Sequence, residues 1–329
     1  MNARVAAIDC GTNSIRLLVA DLDPAGGPAA EVDRRMEIVR LGQGVDATGR
    51  IADEALERTF GACDRYAAVV RELGAQRIRF VATSAMRDAA NRDEFTAGVL
   101  ARFGVAPEII SGDEEAALSF AGATGAVAGL SGAGSDAAAS DAAASDAAAS
   151  TACPTPYLVI DIGGGSTEFV LGADRVEAAR SVDIGSVRLT ERHLAADPPT
   201  SAQIAAARKD VAAAIDQAAE AVPLDRARTL VGVAGSVTTV AAIALGLGAY
   251  DRSRVHLSRI SAERISETAG DLLTSTHAQR AANPVIHSGR VDVIAAGALI
   301  LAVIVDRLGL PGLVVSEHDI LDGIARSMA

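Results

Sequence analysis

Apolar residues fall into two rhythms along this chain. Short, nearly continuous apolar runs at 5–8, 15–20, 77–82, 157–162, 167–172 and 229–234 have the length and the β-branched content of strands buried on both faces. Residues 107–110, 175–182 and 312–316 read as further strands. Between these runs lie segments with apolar residues at helical spacing: 51–73, stopping at Gly74, and 93–103, stopping at Gly104, both plausible left-handed C-caps, then 112–128, 186–195, 201–221, 236–247 and 261–273. The longest apolar run, Val293–Val305, sits in a helix predicted at 290–308 and is too short to span a bilayer. A short helix closes the chain. Strands alternating with helices predict an α/β protein, and 329 residues suit two domains.

The rhythm is interrupted once. From Ser135 the chain reads SDAAASDAAASDAAAS, with no apolar stripe and with Ser and Asp at a spacing that matches no helical face. Residues 129–155 are therefore expected to be a mobile insertion between two structured parts, 1–128 and 156–317.

Those two parts begin alike. Ile8-Asp9-Cys10-Gly11-Thr12-Asn13-Ser14 aligns without a gap on Ile160-Asp161-Ile162-Gly163-Gly164-Gly165-Ser166, and strand patterns flank both. Each part thus opens with strand, D-x-G-x-x-S turn, strand. Glycines let the backbone approach a ligand and point N–H groups at it, hydroxyls add donors, and an acid at the strand end can hold a divalent metal. The combination suits the end of a phosphate chain. It is neither a Walker A loop nor a dinucleotide fingerprint, because a strand follows the turn where those need a helix. A third glycine motif, Gly232-Val233-Ala234-Gly235-Ser236, stands where a strand passes into a helix.

Charge narrows the ligand classes. The formal net charge is −12, which argues against nucleic-acid and anionic-membrane partners. An anionic ligand must be drawn by local arginines, backbone N–H groups or a metal. Cys10, Cys63 and Cys153 are far apart and lack metal-ligand spacing, and the first apolar run is too short for a leader, so a reducing, cytoplasmic setting is expected. The arginines at 252, 254, 259 and 264 either guide a polyanion or line a solvated face.

The motifs DCGTNSIRLLVAD (9–21), VATSAMRDA (81–89), IISGDEEA (109–116), DIGGGSTE (161–168), GVAGSVTT (232–239), GRVD (289–292) and SEHDILDGI (316–324), in this order, resemble the exopolyphosphatase/guanosine pentaphosphate phosphatase (Ppx/GppA) family of the actin-like ATPase superfamily, in its short two-domain form. The resemblance implies two actin-like (ribonuclease H-like) domains facing an interdomain cleft, with a C-terminal helix at 318–329 packing back on the first. It also implies hydrolysis of terminal phosphate from inorganic polyphosphate, with guanosine pentaphosphate as the alternative substrate. A kinase of the same superfamily or a nucleotide sensor is more remote. Mg²⁺ is expected, with Mn²⁺ able to substitute, together with K⁺ and a homodimer. Ser111-Gly112-Asp113-Glu114 fits a capping box. Glu115 alone would read as a first-turn acid complementing the helix dipole; the resemblance makes it the general base. Likewise implied are Asp161, Glu168 and Asp9 as metal and phosphate-end positioners. Gly163, Gly164, Gly165, Ser166, Thr167, Thr12, Asn13, Ser14 and Arg87 become the phosphate binders, with Arg16 facing the same cleft. Arg290 and Asp292 read as a structural pair, and His256, His287 and His318 show no ligand spacing.

Overall fold

The computed structural model describes residues 3–23, 29–132 and 153–329. The Ser-Asp-Ala tract and most of the expected insertion therefore lie outside the described residues. Two sheets form. The first has the order β3 (Ala30–Ile38), β2 (Ser14–Leu22), β1 (Ala3–Cys10), β4 (Arg77–Ala82), β5 (Glu108–Ile109). The second has the order β10 (Arg259–Ser261), β11 (Gly312–Val315), β9 (Thr229–Val233), β6 (Tyr157–Ile162), β7 (Thr167–Gly172), β8 (Val176–Val182). In each, three antiparallel strands run from the edge to the strand bearing the motif Asp, and parallel strands follow. The repeat read from the turns thus extends to topology: these are two actin-like halves, the second with β10 added antiparallel at its edge.

The predicted strands and long helices stand within a few residues of where periodicity placed them. The helices are α2 (Asp53–Glu72), α4 (Arg92–Phe103), α5 (Gly112–Gly132), α6 (Ser186–His193), α7 (Ser201–Ala219), α8 (Ala234–Ala244), α10 (Ala262–Thr274), α12 (Ile294–Leu308) and α13 (Ile320–Arg326). Strand β3, AEVDRRMEI, was not predicted. It is an edge strand with few buried positions, so its charged sequence carries no alternation. The short helices α1 (Val45–Thr48), α3 (Ser84–Asp88), α9 (Arg252–Val255) and α11 (His277–Ala281) also lack a readable period.

The two halves exchange helices. Helix α5 follows the first sheet in sequence, yet its Ala116, Phe120, Ala123 and Val127 pack on Val159, Val170, Val231 and Val314 of the second. Helix α13 follows the second sheet but packs Ile320, Leu321 and Ile324 against Val5, Ala7 and Leu18 of the first, with Leu118 of α5 in the same cluster. At the crossing of α5 and α13 only glycine fits. A Cβ on Gly122 would stand 1.8 Å from the Asp319 carbonyl oxygen, and one on Gly323 would stand 2.0 Å from that of Leu118. We expect Gly122→Ala to lower stability by about 1–3 kcal/mol through forced separation of the helices. Gly129→Ala, in the same helix with nothing within 4 Å of its Cβ position, should instead raise it by up to about 1 kcal/mol. Thermal unfolding of the two variants reads the difference; equal changes would mean the crossing yields freely.

Candidate active site

The two glycine turns meet face to face. In the first, the Gly11 N–H donates to the Ser14 carbonyl at 3.0 Å; in the second, Gly163 donates to Ser166 at the same distance. The segment leaving the third strand of each half ties the turn carbonyls back. Arg40 N–H donates to Asn13 O at 2.9 Å and Gly42 N–H to Thr12 O at 2.8 Å, while Ser186 and Val187 N–H donate to Gly163 and Gly164 O at 2.9 Å. With these carbonyls occupied, the groups the turns present to the space between them are N–H and hydroxyl donors, the chemistry that holds an anion. Closeness explains the glycine run. A Cβ on Gly164 would lie 2.9 Å from Thr12 Cβ, and one on Gly165 would lie 2.6 Å from Ser84 Oγ.

The resulting cleft, about 80 Å³, is lined by Asp9, Thr12, Asn13, Ser14, Glu115, Asp161, Gly163, Gly164 and Ser166 among the residues read from sequence. Four others stand behind this wall. The Gly165 carbonyl accepts from Arg188 Nε at 2.7 Å. The Thr167 hydroxyl donates to the Ile184 carbonyl at 2.7 Å. Glu168, paired in register with Asp161, accepts from Ser181 Oγ at 2.8 Å. Arg87 donates from Nη1 to the Ile110 carbonyl at 3.1 Å and to Glu115 Oε2 at 2.7 Å, so it reaches the cleft through Glu115. Ser111 caps α5 by accepting from the Glu114 N–H at 3.2 Å, but the Glu114 carboxylate goes to Arg79 at 2.7 Å, so only half of the expected capping box forms.

Sequence reasoning missed part of the wall: Thr83, Ser84, Ser186, Ser236 and Arg290 also line the cleft. Thr83, Ser84, Ser236 and Arg290 lie inside motifs quoted above, which was the available signal. Arg290 and Asp292 do not pair. Asp292 meets Arg40 at 2.5 Å and His277 at 3.0 Å, and Arg290 instead lies across Gly235, where a Cβ would stand 2.1 Å from Nη2. Ala234, at the start of α8, is left-handed at φ 67° and borders the same space. Of the four arginines left open, Arg252 lines a neighbouring cavity, Arg254 is exposed, Arg264 pairs with Glu267 at 2.5 Å, and Arg259 contacts Cys153 at 3.1 Å. His256 and His318 stack on each other with centroids 4.6 Å apart.

Acids outnumber cations here. Asp9 Oδ2 takes both Nε and Nη2 of Arg16, at 2.9 and 2.7 Å, and Oδ1 is buried with no hydrogen-bond partner. Asp161 Oδ2 accepts from Ser119 Oγ at 2.6 Å. Burial pushes the Glu115 carboxyl up to about 7 against the pull of Arg87, and burial with the nearby Asp319 charge pushes Asp161 up to about 6. Glu168 is raised well above the usual range by burial and by Glu115 and Asp161. Uncompensated carboxyl oxygens are hard donors of the kind that bind a divalent cation. Among the described residues no group of three acidic, His or Cys side chains encloses an ion on its own.

A cavity of about 350 Å³ adjoins the cleft, sharing Arg16, Gly235 and Arg290. Its lining includes the apolar Met36, Pro284, Val285 and Leu321 and the arginines Arg34, Arg35 and Arg252, together with Tyr250, whose hydroxyl donates to Glu317.

The sequence profile of the Ppx/GppA phosphatase family matches residues 19–133 and 142–329. The chain belongs to this family. Exopolyphosphatase 2 of Mycobacterium tuberculosis is 48% identical over 337 residues, covering 99% of this chain and 98% of that protein. A crystal structure of an exopolyphosphatase-like protein superposes with a TM-score of 0.90 at 43% identity, covering 100% of this chain and 98% of that one. The guanosine-5'-triphosphate,3'-diphosphate pyrophosphatase of Aeromonas salmonicida is 27% identical over 97% of this chain and 58% of its own length. Residues 134–141 lie between the two profile matches, and all but Gly134 belong to the Ser-Asp-Ala tract.

The raised carboxyls fix a pH response. Each has a folded pKa above its unfolded one, so the stability it contributes is present below the ordinary carboxylate range and is lost as pH rises through about 6 for Asp161 and about 7 for Glu115. His256, lowered by burial to about 4, acts in the opposite direction. The test is therefore a comparison in chelator. Between pH 5.5 and 8 the parent should lose more Tm than Glu115→Gln, and a divalent cation should narrow the gap. Parallel Tm curves for the two proteins would mean that Glu115 ionises without strain.

Proposed function

We propose that this chain is an exopolyphosphatase that releases terminal orthophosphate from inorganic polyphosphate by attack of water. The observation that carries the reading is the pair of matched turns offering donors to one small cleft whose wall holds Glu115 and Asp161. The end-to-end similarity to an exopolyphosphatase supports it. In this reading the terminal phosphoryl group sits between Thr12-Asn13-Ser14 and Gly163-Gly164, with Ser166 as a further donor. Glu115, oriented by Arg87, takes a proton from the water as its oxygen attacks phosphorus. The bridging P–O bond breaks, leaving orthophosphate and a chain shorter by one unit. A pKa raised toward neutrality suits that task, because a base works best near the operating pH. Asp9 Oδ1 and Asp161 fit a divalent cation, Mg²⁺ or Mn²⁺, with Ser119 holding Asp161 Oδ2 from behind. Bound there, such a cation would offset substrate charge and polarise the phosphoryl oxygens. Thr167 and Gly165 shape the turn.

A second reading has its own observation. The apolar side chains in the lining of the adjoining cavity, together with the Tyr250 ring, suit a nucleoside better than a bare phosphate chain. It favours guanosine pentaphosphate, the substrate named for the Aeromonas relative.

Phosphate release from the purified protein, compared across long polyphosphate, short polyphosphate, guanosine pentaphosphate and ATP, tests both. Polyphosphate should be cleaved fastest. Guanosine pentaphosphate cleaved tenfold faster would replace the first reading by the second, and no release from any of the four would end both. Glu115→Gln should cost about 10²–10⁴-fold in rate with folding retained; a variant as fast as the parent would leave Glu115 with a helix-start role only. Excess chelator should abolish turnover, and Mg²⁺ should restore it.

A further inference from the structure

Arg16 holds Asp9 in an unusual way. An arginine beside a carboxylate ordinarily forms two parallel bonds, one to each oxygen. Here Nε and Nη2 of Arg16 both fall on Asp9 Oδ2, and Asp9 Oδ1 is left buried without a partner. The third guanidinium nitrogen, Nη1, is held by Asp319 Oδ2. Asp319 is itself fixed. Its Oδ1 accepts the Leu321 N–H at 3.0 Å as the N-cap of α13, its own N–H goes to Asp322 Oδ2 at 3.1 Å, and its carbonyl presses on Gly122 of α5. No role has been assigned to it so far.

We propose that Asp319 is a positioning residue for the cleft: by anchoring one nitrogen of Arg16 it keeps the guanidinium from closing on both oxygens of Asp9, and so keeps Asp9 Oδ1 open for a divalent cation. Without that anchor Arg16 is free to turn into the paired geometry, which would occupy both oxygens. The free atom is on the correct residue for this role, since Asp9 lines the cleft while Asp319 lies on the adjoining cavity and Arg16 borders both. The inference rests on the reading of Asp9 as a cation-facing group, and the experiment separates the two.

Asp319→Asn keeps a good helix cap, because Asn caps nearly as well as Asp, but it presents no charge to Arg16. Arg16→Lys removes the fork from the other side. Asp322→Ala weakens the same cap and touches Arg34, at 2.7 Å, but leaves the Arg16 contact alone. Mn²⁺ binding to the full-length protein, followed by electron paramagnetic resonance with inorganic phosphate present, is the readout, alongside Tm and the Mg²⁺ dependence of phosphate release. In the double variant Asp319→Asn with Arg16→Lys, where no fork can close on Asp9, Mn²⁺ should bind as in the parent, while Asp319→Asn alone should weaken Mn²⁺ binding by about tenfold, in the range found for outer-shell partners of metal ligands. The Mg²⁺ requirement should rise in step, with the rate recovered at saturating Mg²⁺. Asp322→Ala should lower Tm and bind Mn²⁺ as the parent does. Parental Mn²⁺ affinity in Asp319→Asn overturns the proposal whatever happens to Tm, as does an equal loss in Asp322→Ala, which would make the effect one of capping. Should Asp319→Asn fail to fold, Asp319→Ser, which also caps a helix but presents no charge to Arg16, decides by the same measure. A parent that binds no Mn²⁺ overturns the cation reading of Asp9 itself.

Discussion

The structure turns on an excess of buried negative charge. Asp9, Glu115, Asp161 and Glu168 are all nearly inaccessible, and the cations bonded to them are Arg16 and Arg87. Removing a carboxylate from water is tolerable only if it is paired, hydrogen-bonded or protonated. Hydroxyls answer part of the need, Ser119 for Asp161 and Ser181 for Glu168. The remainder shows as raised pKa values. A fold that keeps such a cluster is least stable when all of it is ionised and nothing positive is bound, which is the electrostatic state from which a cation and its phosphate ligand bind most favourably.

That cluster exists because two similar halves were brought together at their glycine turns. Each turn alone is a hairpin whose carbonyls are tied back by its own half. Only when Gly164 lies against Thr12, with no room for a Cβ, do the donors of both turns face one small space and bring Asp9 and Asp161 to it. Ion pairs between the halves hold that approach away from the chemistry, with Arg188 to Asp88 at 2.6 Å, Arg192 to Asp46 at 2.7 Å and Arg40 to Asp292 at 2.5 Å. Exposed pairs of this kind contribute little individually. Their effect here is to set the angle at which two rigid sheets meet.

What was legible in the sequence follows from which forces are local. Buried strands such as LVIDI and TEFVL and the apolar helix α12 carry their period in the chain, and the turns carry their chemistry in consecutive residues. Strand β3 escaped because an edge strand facing water on much of its surface needs no apolar alternation. Arg290 was misassigned because GRVD places Arg and Asp at a helix start as neighbours in sequence. In space the Asp turns to Arg40 and His277, while the Arg crosses to a glycine 55 positions earlier. Thr167 and Glu168 are contiguous with the turn, but alternation sends Thr167 to the opposite face, where it bonds the Ile184 carbonyl, while Glu168 shares the Asp161 face one strand further out and is met by Ser181. Sequence proximity to a motif is therefore a weaker guide than the face of the element that carries it.

The exchange of α5 and α13 between the halves explains why the site spans nearly the whole chain. Glu115 and Ser119 reach the cleft from α5, which is seated on the second sheet, and Asp319 reaches Arg16 from the start of α13, which is seated on the first. The crossing at Gly122 and Gly323 clamps these two helices to each other. Glu115, the hydroxyl behind Asp161 and the anchor of Arg16 thus share one rigid contact, while Asp9 and Asp161 sit on different sheets. Any change in the angle between the sheets must shift all three relative to Asp9 and Asp161 together. A small residue at a helix crossing, far from any substrate in sequence, therefore has as much control over the geometry of the acids as the side chains that touch them.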